Sequence, residues 1–297
     1  MIFNRTTVQT NPEGEEYPED GLELFDLAAN RGDVRRFVGG CISFHWHTEL
    51  EFFVLYEGQV QVSAGAQTCV LQAGEGCFIN AGVLHSFQAQ GAAPCLYRSF
   101  VFDAGIVGGA PGSVFDLRYV RPLVRSGMPF IRLDRRADAA CFDAFERAFH
   151  ACEEERPGYE FKIRAELSAI LLLLGRRRAP AAPPAAGQVQ QARLKQILGW
   201  IDRHLENPIT LRDLAGCAGV SPRECQRMFR RYLHCRPMEY LCQRRLLVAA
   251  EQLAATGFSV TEIALQCGFS SPSYFSKQFK RLVGQTPAAY RAGQRQP

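Results

Sequence analysis

The chain has 297 residues, 47% hydrophobic and 22% charged, a length that predicts about two domains. Its net charge of +4 is unevenly held: from Gln188 onward 16 Lys+Arg face 7 Asp+Glu, a net of +9, whereas the first 187 residues carry 18 against 23, a net of −5. A basic unit joined to an acidic one points to phosphate binding by one half only. The composition and pattern exclude a disulfide framework (eleven Cys, no CxxC pair), a secretory leader, a membrane span and a P-loop or dinucleotide fingerprint, so a cytoplasmic chain with reduced thiols and no membrane partner is expected.

Residues 1–33 read as a polar, acidic N-terminal segment. From about Val34 to Phe102 the runs EFFVLYEG, QVQVSAG, QTCVLQAGEGCFIN, HSFQAQ and CLYRSFVFD are short, rich in β-branched and aromatic residues, and punctuated by Gly. They predict an all-β sandwich or jelly-roll barrel, assigned to 34–137. Within it lie Gly39-x5-His45-x-His47-x3-Glu51-x6-Gly58 and Gly74-x5-Asn80-x-Gly82-x2-His85. This pair resembles the two motifs of the cupin fold, with Asn80 in place of the second motif's Pro and Ala89 in place of its closing Asn. His45 and His47 share one face of a strand, Glu51 joins them if the strand stays regular, and His85 approaches from a neighbouring strand. Three imidazoles and a carboxylate suit a divalent Zn, Mn, Fe or Ni ion. Three readings stay open: a metal site, sensory or catalytic; a small-molecule effector pocket; or polar groups that satisfy one another. No cofactor is required by the sequence. Phe44, Trp46, Phe53 and Phe78 are candidate aromatic walls.

Two helical periods follow. Ala139 to Glu155 aligns Phe142, Phe145 and Phe149, and Glu160 to Leu174 aligns Ile163, Leu167, Ile170, Leu171 and Leu174. Segment 138–175 is therefore expected to cover a sheet edge or to form a dimer seam, and a homodimer is expected. The Arg cluster and Pro/Ala run at 176–188 predict an extended, semi-rigid linker.

The last hundred residues repeat one unit. Ala215 and Gly219 recur as Ala264 and Gly268, forty-nine apart, whereas Ser221, Pro222, Phe229, Pro237 and Tyr240 recur fifty apart as Ser271, Pro272, Phe279, Pro287 and Tyr290. One extra residue therefore sits in the second turn, at Ser270 or Ser271. A small residue at a helix crossing, a Gly at the sharp turn and a Ser-Pro helix start together describe a helix-turn-helix. Its second helix would bury Cys225, Met228 and Phe229 in the first copy, and Phe275, Phe279 and Leu282 or Val283 in the second. Arg223, Gln226, Arg227, Arg230 and Arg231 stay outside in one, and Ser273, Ser276, Lys277, Lys280 and Arg281 in the other. Arg and Gln hydrogen-bond guanine and adenine edges, and further cations neutralise phosphate.

The stretch RLLVAAEQLAATGFSVTEIALQCGFSSPSYFSKQFKRLVGQTPAAYR, Arg245 to Arg291, closely resembles the signature of AraC-type bacterial transcription regulators, and the resemblance covers Val189 to Arg291. It implies two helix-turn-helix units on a long central helix, Pro237 to Thr256, within a DNA-binding domain at 189–297. It further implies base contacts from Arg223, Gln226, Arg227, Ser273, Ser276 and Lys277, with Arg230, Arg231, Lys280 and Arg281 left for phosphates. Cys225, His234 and Gln252 depart from the family's usual Leu, Gly and Leu. The expected whole is a multidomain protein: a cupin-like jelly-roll barrel with two following helices, then an all-α DNA-binding domain. Double-stranded operator DNA, a small-molecule effector sensed by the barrel and, for an activator, RNA polymerase are the implied partners. The alternative is a metal-dependent cupin enzyme, of dioxygenase or isomerase type, with an appended DNA-binding domain.

Overall fold

The computed structural model describes residues 2–4, 10–11, 15–16, 25–176 and 185–294. Ten strands are described: β1 (Ile2–Asn4), β2 (Leu27–Asp33), β3 (Cys41–His45), β4 (Leu50–Leu55), β5 (Gln59–Ala64), β6 (Gln67–Gln72), β7 (Gly76–Ile79), β8 (His85–Gln90), β9 (Leu96–Phe102) and β10 (Phe130–Leu133). They form a six-stranded sheet, ordered β1-β2-β9-β4-β7-β10, and a four-stranded sheet, ordered β3-β8-β5-β6. Every pairing between these strands is antiparallel except β1 with β2.

The period of two explains why β4, LEFFVL, is buried along its whole length. Leu50, Phe52 and Val54 face one core and Phe53 and Leu55 the other. The first core is closed by two helices, α3 (Ala139–Glu154) and α4 (Tyr159–Arg176), with Phe52 stacked on Phe145 at 5.2 Å. The second lies between the sheets, where Phe53 stacks on Phe87 at 4.2 Å. Phe53 and Phe78 are thus core residues and not pocket walls.

The structure departs from the sequence expectations in four places. The sheet begins ahead of Val34: β1 and β2 lie in the segment read as polar, because the short apolar run Leu27–Ala29 and the buried Asn30 are hidden there among charged neighbours. Val34–Arg36 and Val38–Gly40 are 3-10 turns and not strand. Residues 103–129 hold α1 (Gly105–Gly108), a π turn at Asp116–Val120 and α2 (Arg121–Val124). Finally, Arg176 ends α4 and residues 185–188 open α5 (Ala185–Arg203), so both ends of the linker read as extended are helical. Alanine is the strongest helix former and extends α5 backward once the prolines end. The middle of that linker, 177–184, lies outside the described residues, as do 1, 5–9, 12–14 and 17–24 of the N-terminal segment.

Beyond α5 come α6 (Leu211–Cys217), α7 (Pro222–Tyr232), α8 (Pro237–Ala255), α9 (Val260–Gln266), α10 (Pro272–Val283) and α11 (Pro287–Gln294). The pairs α6/α7 and α9/α10 each own a core, and α8 joins them. Both cores include the barrel: Leu84, with half-buried Phe44 and Trp46, belongs to the first, and Val38 packs against the second.

Candidate functional site

The two helix pairs close in the same way. Gly219 and Gly268 turn with φ of 60° and 79°, and the next residues, Val220 and Phe269, donate backbone hydrogen bonds to Ala215 and Ala264 at 3.0 and 2.9 Å. Ser221 and Ser271 then cap α7 and α10, each accepting from the amide three residues on at 3.2 Å, with Pro at the first helical position. Because Ser271 is the cap, Ser270 is the extra residue of the second turn. The first helix of each pair opens with a capping box, Thr210/Asp213 and Ser259/Glu262. Both boxes are written in the sequence as T-x-x-D and S-x-x-E, a signal overshadowed there by the Gly and Ser-Pro pattern.

Cys225, Met228, Phe229, Phe275 and Phe279 are buried, and Leu282 and Val283 half-buried. Arg223, Gln226, Arg227, Arg230, Arg231, Ser273, Lys277, Lys280 and Arg281 are exposed, and Ser276 half-buried. Arg227 pairs with Glu224 at 2.7 Å on its own helix. Gln226, Tyr274, Gln278 and Arg281 share a cleft of about 730 Å³ between the two units. Tyr274 and Gln278 were missed in the sequence, since only their position on α10 marks them.

The barrel's polar cluster forms where the chain crosses from one sheet to the other. His45 ends β3 and pairs directly with His85 at the start of β8; Glu51 lies on β4, and His47 in the connection between β3 and β4. The expected regular strand is broken there, yet the four side chains converge: one ligand atom from each lies within 4.8 Å of all the others, and all four residues are buried. Nδ1 of each ring faces a backbone carbonyl, His45 to Ser43 at 2.8 Å, His47 to Glu49 at 3.1 Å and His85 to Val83 at 2.8 Å. A carbonyl only accepts, so each Nδ1 carries a proton and each Nε2 of a neutral ring presents a lone pair. Glu51 Oε2 lies 3.1 Å from His85 Nε2 and 3.7 Å from His47 Nε2.

Burial, then the neighbouring His85 and His47 rings, hold His45 well below the usual imidazole range, against the pull of Glu51. Burial pushes the Glu51 carboxyl up, but hydrogen bonds and charge from His47 and His85 outweigh it and hold Glu51 below the usual carboxylate range. Those hydrogen bonds need a proton on Nε2, and therefore a ring that is already cationic. With neutral rings, the four atoms are lone pairs facing one another. This donor set fits a divalent transition-metal ion.

Asn80, the departure from the cupin Pro, is also buried. Its amide donates to the Leu123, Val124 and Met128 carbonyls at 3.1, 3.2 and 3.0 Å, fastening the chain around α2 to the barrel. On the other side of the cluster, Lys195 of α5 donates to the Gly82 carbonyl at 2.7 Å and lies 3.6 Å from the Trp46 ring centre. The Gly82 amide in turn donates to the His47 carbonyl at 2.7 Å. Burial lowers Lys195 to about 8, with Glu15 opposing. Further contacts across the same junction are His234 Nε2 to Thr68 Oγ1 at 2.7 Å and Arg244 to Thr10 at 3.4 Å. None of these long-range partners is marked in the sequence.

Two exposed reader helices on one basic domain, docked on a β-barrel with a buried polar centre, define a DNA-binding regulator with a sensor domain. The helix-turn-helix domain family matches residues 214–293, and the AraC-like ligand binding domain family matches 40–171. The chain is 37% identical over 98 residues to the regulatory protein SoxS of Escherichia coli, covering 33% of this chain and 92% of SoxS. It is 26% identical over 268 residues to the HTH-type transcriptional regulator YdeC of Bacillus subtilis, covering 89% of this chain and 91% of YdeC. A crystal structure of the AdpA DNA-binding domain in complex with a target DNA matches at 36% identity and a TM-score of 0.34, over 35% of this chain and 93% of that one. The chain belongs to the AraC family of DNA-binding transcriptional regulators, with a ligand-binding domain ahead of the helix-turn-helix pair. Its relatives are regulators, which favours that reading over the cupin enzyme. Among the described residues no helix is long and apolar enough to cross a membrane.

Proposed function

We propose that the protein works in the cytoplasm as a homodimer, with no catalytic activity of its own. It reads its operator through α7 and α10 and changes its hold on that DNA when a small molecule acts on the barrel. Arg223, Gln226 and Arg227 meet bases in one major groove and Ser273, Ser276 and Lys277 in the next, while Arg230, Arg231, Lys280 and Arg281 meet phosphates. If the operator lies where an activator must bind, RNA polymerase is a further partner. The observation that carries the regulatory part is the junction: Leu84, Phe44 and Trp46 of the barrel share a core with α7, so an event at the barrel's polar corner alters the seating of a reader helix. A cleft of about 190 Å³, lined by Gln61, Ser63 and Gln88 of the barrel and Tyr240 and Arg244 of α8, touches both domains and offers a second place for an effector.

The test is Arg227→Ala, titrated against an operator recovered by selection and against random duplex DNA. Loss of about 1–3 kcal/mol on the operator alone, with relaxed preference at one base pair, is expected. Equal loss on both DNAs would make Arg227 a phosphate contact.

A further inference from the structure

We propose that the cleft between the barrel and α8 binds a small uncharged ring with an amide edge, and that this ligand sets the spacing of the two reader helices. The second half rests on the reading of the chain as an effector-responsive regulator. The sheet formed by β3, β8 and β5 has two unlike faces. Ile42, Val60, Val62 and Phe87 point into the core between the sheets. Alternation turns Ser43, Gln61, Ser63, Ser86 and Gln88 outward, and all five line the cleft. Gln61 stands beside Gln88, and Ser63 beside Ser86, across β5 and β8. This row of hydroxyls and carboxamides holds no charge, although it faces away from the core. Ser86 and Tyr240 are buried, 6% and 9% exposed, and neither hydroxyl has a hydrogen-bond partner among the described residues. The half-buried Ser43 hydroxyl and Gln61 carboxamide have none either. Buried polar groups are hydrogen-bonded as a rule, so four that converge on one concavity between domains mark the polar edge of a ligand.

The chemistry of these groups selects the ligand. Burial, with the Asp202 carboxylate adding to it, pushes the Tyr240 phenol up, so the hydroxyl keeps its proton and can donate it. Burial pushes the Cys41 thiol, in the same wall, up to about 12, and it too stays neutral. Arg244 also lines the cleft, but its Nε already donates to the Asp202 carboxylate at 2.7 Å. His234 is held by Thr68 at 2.7 Å. No charge is left over to balance a carboxylate or an ammonium, and burying either one unpaired is costly. The Gln61 carboxamide offers a donor and an acceptor side by side, the complement of another amide edge. Phe44 and the Tyr240 ring supply flat apolar surface, and about 190 Å³, the share of about six waters, admits one small ring. The space between the two sheets is filled by contrast, Phe53 stacking on Phe87 at 4.2 Å and on Tyr97 at 5.0 Å.

The wall opposite the sheet belongs to the elements that carry both readers. Leu233 caps the end of α7, Leu282 lies in the last turn of α10, and Tyr240, Arg244 and Leu247 stand on α8, which joins the two pairs. A ring seated against the sheet therefore presses on all three helices at once. It changes how α8 holds α7 and α10, and so their fit to two successive grooves about 34 Å apart. The ligand acts through its unequal fit to two arrangements of these helices on the barrel.

The test titrates the full chain by calorimetry with two neutral rings, nicotinamide and uracil, and with nicotinate, the charged isostere of the first. One molecule of a neutral ring per chain is expected, with nicotinate weaker by about 10-fold or more. Gln61→Met and Tyr240→Phe, which remove polar atoms and keep the bulk of the side chain, should each weaken binding about 10-fold. Uptake of neither neutral ring, nicotinate bound as tightly as they are, or affinities unchanged by both substitutions overturns the site. Operator recovered by selection is then titrated with the wild type, with and without a saturating neutral ring. A shift in operator affinity of about fivefold or more is expected, and an unchanged affinity overturns the coupling. A chain that binds operator but takes up neither ring refutes the cleft alone, and one that takes up a ring but binds no operator refutes the DNA-reading mechanism alone.

Discussion

Gly219 and Gly268 occupy equivalent turns but are not equally replaceable. A Cβ on Gly219 would meet nothing within 4 Å, whereas one on Gly268 would collide with the Leu205 carbonyl oxygen and lie 2.7 Å from the Arg245 guanidinium carbon. Arg245 is itself pinned there, donating to the Leu205 and Asn207 carbonyls at 2.8 and 2.6 Å. Gly219→Ala should therefore cost about 1 kcal/mol, the left-handed penalty alone, and Gly268→Ala about 3 kcal/mol once overpacking is added. Urea denaturation of the full chain checks the ranking, and equal costs would contradict it. The repeat made both glycines legible. The approach of Arg245 was not, because that side chain comes from α8 and no local pattern announces it. His234 is the opposite case: it holds φ 54° where its counterpart Gly284 holds 84°. That costs about 1 kcal/mol, which the hydrogen bond to Thr68 offsets. Thr68→Val should destabilise the wild type by about 0.5–1.5 kcal/mol and a His234→Gly background by less, since there only the 3.4 Å contact of Thr68 with Ser63 remains to be lost. The same loss in both backgrounds would mean that the contact is absent in solution.

At the scale of elements, α4 resolves the choice its leucines left open. Ile163, Leu167, Ile170, Leu171 and Leu174 are buried in the chain's own core against α3 and the sheet, so they are not the seam. What remains outside is Phe161, 78% exposed, and Leu172, 46% exposed, which with Phe115 and Tyr119 line an apolar groove of about 470 Å³. An apolar patch of this kind marks an association face. Phe161→Glu/Leu172→Glu should convert dimer to monomer in sedimentation equilibrium with helix content unchanged. Leu167→Ala should instead cost about 2–5 kcal/mol of stability. A wild type that sediments as a monomer would refute the proposed homodimer, and a double variant that remains dimeric would place its seam elsewhere. The period of 3.6 correctly identified an apolar face on α4, but hydrophobicity does not say which surface it meets. Phe161 lies off that face and drew no notice, and Leu172 counted only as one of the four consecutive leucines that close the helix. The helices and the turns between them were legible because their signals are local: caps, turns and periodicity. The cluster of histidines was legible as a motif, although the strand that was to align it breaks off before His47. Lys195 and Thr68 were not, because each acquires its role from a partner distant in sequence.

For the whole molecule, the cysteines set an alkaline limit. Burial pushes the thiols of Cys41, Cys152 and Cys235 up to about 12, from an ordinary 9.0. It pushes those of Cys95, Cys225 and Cys267 up to about 11, with Asp33 adding to burial at Cys95. A folded thiol then stays protonated where the unfolded one ionises, so its contribution to stability is complete below pH 9 and is lost as the pH rises toward 11 or 12. Each such thiol weakens folding as the pH rises through that window, and the six act in the same direction. Lys195, lowered from 10.5 to about 8, acts in the opposite sense between those values, but it is one group against six. The urea midpoint under reducing conditions should fall steeply between about pH 9 and 10.5. A flat profile over that window would show the thiols to be hydrated.

The barrel lends Leu84 to the core of one helix pair and sets Val38 against the other. Sensor and reader are therefore not interchangeable parts joined by a tether. A chimera cut at 176–188, with a foreign sensor placed ahead of α5, would take Leu84 out of the core it shares with Leu194, Ile197 and Leu198. A transplant that works must carry the corner as one piece, with Val38, Phe44, Trp46 and Gly82–Leu84 travelling alongside Lys195 and Leu282. Shuffling within such a lineage would then exchange whole regulators more readily than halves.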